Sequence, residues 1–154
     1  MSSVLRLRFG TAQHGWLPVL LEVEGQTHAF QASHVPFDFV GEVTEAASVF
    51  LSTGADTLAR MSEEPGMIDW RFGSEGERAV LRIVTFSSGT RTEAEGVVTA
   101  EVFGSSLGLV VPVWRALRDL ESRVEDEDYR LHWGEPFPSE ALARLTTRIE
   151  AARS

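Results

Sequence analysis

The sequence predicts an α+β fold, an antiparallel sheet of about six or seven strands with helices packed on one face. Three observations predict it. Short β-type runs are joined by turn clusters too brief for the crossover that a parallel pair needs, so successive strands pair antiparallel. Three other stretches change to an apolar period of three and four residues, the mark of helices with one buried side. The composition, 154 residues with 43% hydrophobic and 24% charged side chains, is that of one ordinary domain spanning residues 1–154.

Each element has its own local reason. Val4 to Phe9 alternates Leu5, Leu7 and Phe9 against Arg6 and Arg8, a half-buried strand. Trp16 to Val23 and Thr27 to Gln31 form a hairpin around Gly25, which supplies the positive φ of a tight turn. A helix follows from Asp38 to Ser52, with Phe39, Val43, Ala46, Ala47 and Phe50 inward, Glu42 and Glu45 outward, and Gly54 at its C-cap. Thr57 to Met61, Met67 to Phe72 and Arg78 to Phe86 make a meander, separated by Glu63-Glu64-Pro65-Gly66 and Gly73-Ser74-Glu75-Gly76. Arg82, inside the third run, leans outward at an edge or pairs with an acid. A polar loop then leads to a strand from Gly96 to Phe103.

Val110, Val113 or Trp114, Leu117, Leu120 and Val124 set the stripe of a second helix, expected to begin near Leu109 because Pro112 belongs in a first turn. Glu125 to Asp128 reads as an acidic connection and Tyr129 to Trp133 as a brief extended segment. A last helix carries Leu142, Leu145 and Ile149 on one side, with Ser139 as its N-cap.

Charge narrows the function classes. All 14 basic side chains are arginine, against 23 Asp and Glu, for a net charge of −9. An acidic surface repels nucleic-acid phosphates and anionic membranes and attracts basic proteins, so neither nucleic acid nor membrane is expected as a partner. Lys and Asn are both absent, which points to a GC-rich bacterial genome and weakens any reading of individual arginines. No signal-peptide h-region is read at the start, and the longest apolar runs, Trp16 to Leu21 and Leu107 to Trp114, fall short of the roughly 20 residues of a membrane helix. With zero Cys there is no disulfide, thiolate ligand or cysteine nucleophile, and a cytoplasmic location is expected.

Chemical motifs are few. Gly104-Ser105-Ser106-Leu107-Gly108 fits the G-x-S-x-G pattern between a strand and a helix, which makes Ser106 a candidate nucleophile with His132 as base and Asp119 or Asp128 as orienter. Against it stands the antiparallel sheet, since a nucleophile elbow sits on a parallel one. His14, His28, His34 and His132 lack the spacing of metal ligands. A P-loop needs a Lys the chain does not have, and no G-x-G-x-x-G occurs. No cofactor is expected. Trp114 and Trp70 are read as core or sheet-packing residues, whereas Trp16 and Trp133 stand in polar, turn-like surroundings where an interface Trp is found.

His14-Gly15-Trp16, Glu64-Pro65-Gly66 before Asp69-Trp70-Arg71-Phe72, and His132-Trp133-Gly134-Glu135-Pro136-Phe137-Pro138 together resemble small uncharacterised bacterial families with a strand, helix, meander, helix layout. By analogy with acidic bacterial proteins of this size, the resemblance implies an immunity-type role, the neutralising of a basic toxin, and it carries over no catalytic residue. The expected function is therefore a non-enzymatic binding protein, immunity-type or accessory, for a basic protein partner. Its contact residues are placed at Glu125, Asp126, Glu127, Asp128 and Trp133. A small serine hydrolase centred on Ser106 and a self-assembling structural component, hence a homo-oligomer, are the alternatives.

Overall fold

A computed structural model describes residues 5–87 and 96–154. Seven strands and four helices follow one another as β1 (Leu5–Phe9), β2 (Trp16–Val23), β3 (Gln26–Ser33), α1 (Phe39–Thr53), β4 (Thr57–Ser62), β5 (Met67–Glu75), β6 (Arg78–Phe86), β7 (Val97–Gly104), α2 (Ser106–Arg123), α3 (Asp126–Trp133) and α4 (Ser139–Arg153). The strands make one sheet in sequence order, every neighbouring pair antiparallel. The predicted polar loop before β7 and the predicted start of β1 at Val4 fall largely outside the described residues.

Period-2 patterning sets the sheet's two faces. Leu5, Leu7 and Phe9 pair with Val23, Leu21 and Val19, and all six are buried on the same side. Trp70 and Phe72 of β5 and Leu81 and Ile83 of β6 continue that face across the meander. β3 and β4 share a single register pair, Ser33 with Ser62, at the point where α1 is inserted. The sheet bends there and curls until β2 and β7 touch.

Helices α1 and α2 fill the inner face, and α4 lies across both. Aromatic rings dominate the seam: Phe39 packs at 5.1 Å on Trp70, and Phe50 stacks at 5.6 Å on Phe72. Trp114 of α2 is half-buried and donates its indole N–H to Thr146 Oγ1 of α4 at 2.8 Å, which fixes the rotation of the two helices. Trp70 is core, with 0% of its surface exposed.

A smaller cluster, Met67, Val84 and Phe86 with Phe37, lies on the other sheet face, and Arg60 caps it 4.2 Å above the Phe37 ring. Arg82 is paired, as its strand position required, with Glu75 and Glu101. It stands directly opposite Arg71, whose guanidinium meets the buried Asp69 carboxylate at 2.8 Å. Two arginines face to face across strands are tolerated because carboxylates flank both.

Two helix starts differ from the sequence expectation. α2 begins at Ser106, with Ser105 as N-cap, so Pro112 lies in its second turn instead of its first. The donor that Pro112 lacks would have faced the Gly108 carbonyl, and Gly108 is exposed. In α4, Ser139 is the first helical residue and Pro138 holds the cap position without a side-chain bond.

Candidate functional site

The segment read as an acidic connection and a brief extended stretch is a helix. Tyr129 and Trp133 stand four residues apart, and both are buried, so α3 turns one side to the core and the rest to solvent. Glu125 occupies the N-cap position, and Asp126, Glu127 and Asp128 form the first turn. Carboxylates there face the positive end of the helix dipole, worth about 0.3–1 kcal/mol each near a surface, which favours the helix over the loop. Gly134 ends α3 in the left-handed region at φ 112°, its N–H bonded to the Arg130 carbonyl. All four acids are exposed, and Leu131 beside them is 76% exposed.

Trp133 corrects the sequence reading most sharply. It was expected among the contact residues, yet none of its surface is exposed. Its indole Nε1 donates to Asp38 Oδ1 at 2.9 Å. Asp38 is also the N-cap of α1, accepting from the Gly41 N–H at 3.2 Å. Burial pushes the Asp38 carboxyl above its ordinary value, and the bonds from Trp133 and Gly41 pull it partly back. One carboxylate thus joins the start of α1 to the end of α3.

Histidines dispersed through the chain gather at the same place. The Gly15 N–H donates to the His132 carbonyl at 2.7 Å, and the His34 N–H donates to the Gly15 carbonyl at 3.0 Å. The His34 ring lies between two glycines: a Cβ on Gly15 would come within 2.5 Å of it, and one on Gly134 within 2.4 Å. Both glycines have positive φ, so their identity is required twice, by backbone and by ring. His14 sits edge-on to His132 at 6.4 Å, and His34 edge-on to Trp133 at 6.2 Å. Among the described residues no three His, Asp or Glu side chains are grouped to hold a metal ion.

Between α3 and the β1–β2 loop lies a cleft of about 200 Å³, lined by Thr11, Ala12, Gln13, Arg123, Val124, Asp128, Tyr129 and His132. Arg123 is already engaged, through Nε with Asp119 at 2.8 Å and through Nη2 with the Phe9 carbonyl at 2.6 Å. Asp128 has His132 Nε2 at 3.8 Å. Tyr129 is 2% exposed, and among the described residues its hydroxyl has no hydrogen-bond partner. Burial raises its phenol far above the ordinary tyrosine range, so it stays neutral.

The nucleophile-elbow reading of Ser106 fails on geometry. Ser105 is the helix cap, its Oγ accepting from the Gly108 N–H at 2.9 Å, and Ser106 opens α2. His132 shares its cleft with Arg123 at the other end of that 18-residue helix, about 25 Å away at 1.5 Å per residue. No triad spans that distance. Asp38 and His34 were missed as site residues because each looked complete locally, one as a helix start and the other as a loop residue before Pro36. The available signal was a pair of dipeptides, His14-Gly15 and Trp133-Gly134, whose glycines both open space for one ring.

No family model and no curated protein matches the chain. Among solved structures it is similar to a chain of the CdiA-CT/CdiI toxin and immunity complex from Enterobacter cloacae, with a TM-score of 0.48 and 10% identity. That likeness covers 75% of this chain and 99% of the other.

Proposed function

We propose that the protein is a non-enzymatic binding protein that holds a basic protein partner against the outer side of α3, in an immunity-type or accessory role in the cytoplasm. The observation that carries the reading is the placement of Glu125, Asp126, Glu127 and Asp128 in a chain of net charge −9: four exposed carboxylates in succession on a helix whose buried side is bolted to α1. A rigid, exposed acidic helix end loses little conformational entropy on docking and attracts a basic surface over a Debye length. Aspartate and glutamate are depleted at most protein interfaces, so the partner such a surface fits is one rich in Lys and Arg.

The test is direct. The chain is titrated with the products of neighbouring genes at low and high salt, alongside a variant with Glu125→Gln, Asp126→Asn, Glu127→Gln and Asp128→Asn. A basic protein should bind, with salt and the variant both weakening the association. Indifference to every basic protein tested, or strong affinity for a polyanion such as heparin, overturns the reading.

A further inference from the structure

We infer that the cleft between α3 and the β1–β2 loop is a socket for one arginine or lysine side chain of the partner. The inference rests on the acidic-surface reading and narrows it to a single anchor.

Size comes first. Ligand sites for drug-sized molecules run from about 300 to 1,000 Å³, and a cleft of about 200 Å³ lies below that range while leaving room for one long side chain. Charge selects its sign. Arg123, an arginine in the wall, is matched by Asp119 at 2.8 Å and by the Phe9 carbonyl, whereas the group recorded beside Asp128 is the His132 imidazole at 3.8 Å. Among the described residues Asp128 is therefore the wall charge without an arginine partner, and its side chain is 70% exposed.

Hydrogen-bonding capacity agrees. The Gln13 side chain adds a carbonyl acceptor, and Tyr129 forms part of the wall, its hydroxyl sealed from solvent. The walls are held in advance: Gln13 and Trp16 exchange backbone hydrogen bonds at 2.9 and 3.0 Å, and the Gly15 N–H ties this loop to the end of α3. Glu125, Asp126 and Glu127, on the same helix end, supply the longer-range attraction. An arginine seated in a fitted pocket and ringed by weaker contacts is a common arrangement for the strongest contributor to a protein interface.

N-acetyl-arginine amide and N-acetyl-lysine amide are the probes, titrated into the full chain and followed by proton–nitrogen NMR, with N-acetyl-norleucine amide as the neutral control. The socket predicts saturable shifts confined to Gln13, Asp128, Tyr129 and His132, absent with the control. It also predicts binding weakened about fivefold by Asp128→Asn, the upper end of an exposed charge pair. Thr11→Phe, which fills the cleft from an exposed position, should abolish the shifts. No shift with either basic probe, or shifts spread evenly over the acidic surface, overturns the socket. A hexa-arginine peptide separates the two levels: binding lost in the fourfold neutralised variant but unchanged by Asp128→Asn and Thr11→Phe keeps the acidic surface and sinks the socket. Peptide that does not bind the wild-type chain at low salt sinks the surface reading, while the single-residue probes still decide the socket.

Discussion

The Trp133 indole donates to the Asp38 carboxylate at 2.9 Å, joining residues 95 positions apart in the chain. Asp38 serves two donors at once, the indole and the Gly41 N–H at the first turn of α1. The helix that displays the acidic surface is thereby held by the same side chain that starts another helix.

Asp38→Ala removes the cap and orphans a buried indole N–H, so it should cost about 2–4 kcal/mol, the sum of a lost N-cap and an unsatisfied donor. Asp38→Asn keeps an oxygen for both donors and should cost less than about 1 kcal/mol, since Asn is an equally good cap. Urea unfolding with an unchanged slope measures both. Equal losses in the two variants would rule out the double role.

Stability should respond to pH through the same group. The folded carboxyl holds its proton more tightly than the ordinary value of 3.8, so in the window that begins there and extends upward the native state binds more protons than the unfolded one. Stability from this group therefore falls as pH rises across the window, the reverse of a salt-bridged aspartate. The difference in unfolding free energy between wild type and Asp38→Asn, followed from pH 4 to 7 on the ordinary carboxylate scale, should move in favour of the Asn variant. Parallel profiles would show that Asp38 contributes nothing to the slope.

Gly134 and Gly25 both lie at positive φ, yet only Gly134 has the His34 ring 2.4 Å from where a Cβ would stand, while Gly25 has nothing within 4 Å. Gly25→Ala should cost about 1–2 kcal/mol, the strain of a left-handed alanine. Gly134→Ala should cost at least about 1 kcal/mol more, as an overpacked contact does. Combining Gly134→Ala with His34→Ala should return part of that excess, with a coupling of about 0.5–3 kcal/mol in a double-mutant cycle. Strict additivity would mean that the ring and the glycine do not meet.

The serine pair before α2 separates structure from chemistry. Ser105→Ala loses the bond to the Gly108 N–H and should lower stability by about 1 kcal/mol. Ser106→Ala should change stability by less than about 0.5 kcal/mol, as surface substitutions do. Covalent labelling of Ser106 by a fluorophosphonate would restore the hydrolase reading.

Strands were legible because each carries its own period and its own turn. Arg78 to Phe86 is named to the residue, and the hairpin around Gly25 follows from one glycine. The first helix was legible through its apolar period and its C-cap, Gly54, while Asp38, read as its first residue, is its N-cap. α3 was not: four acids mimic a solvated loop, and eight residues hold only two apolar side chains facing inward, Tyr129 and Trp133, too few for a period to declare itself. Pro112 misplaced the start of α2 because the sequence reading confined a proline to a first turn, whereas the helix carries it in its second.

By itself the sequence determined the α+β class, the antiparallel meander, the acidic surface and most element boundaries, because these depend on local periodicity, turn chemistry and charge. Only the tertiary structure decided that Trp133 is an internal anchor, that the His14 and His132 rings meet while His34 packs on Trp133, and that Ser106 and the cleft of His132 lie at opposite ends of α2. Those relations depend on how a bent sheet and four helices bury their apolar sides together, a balance of non-local contacts that no single stretch of chain encodes.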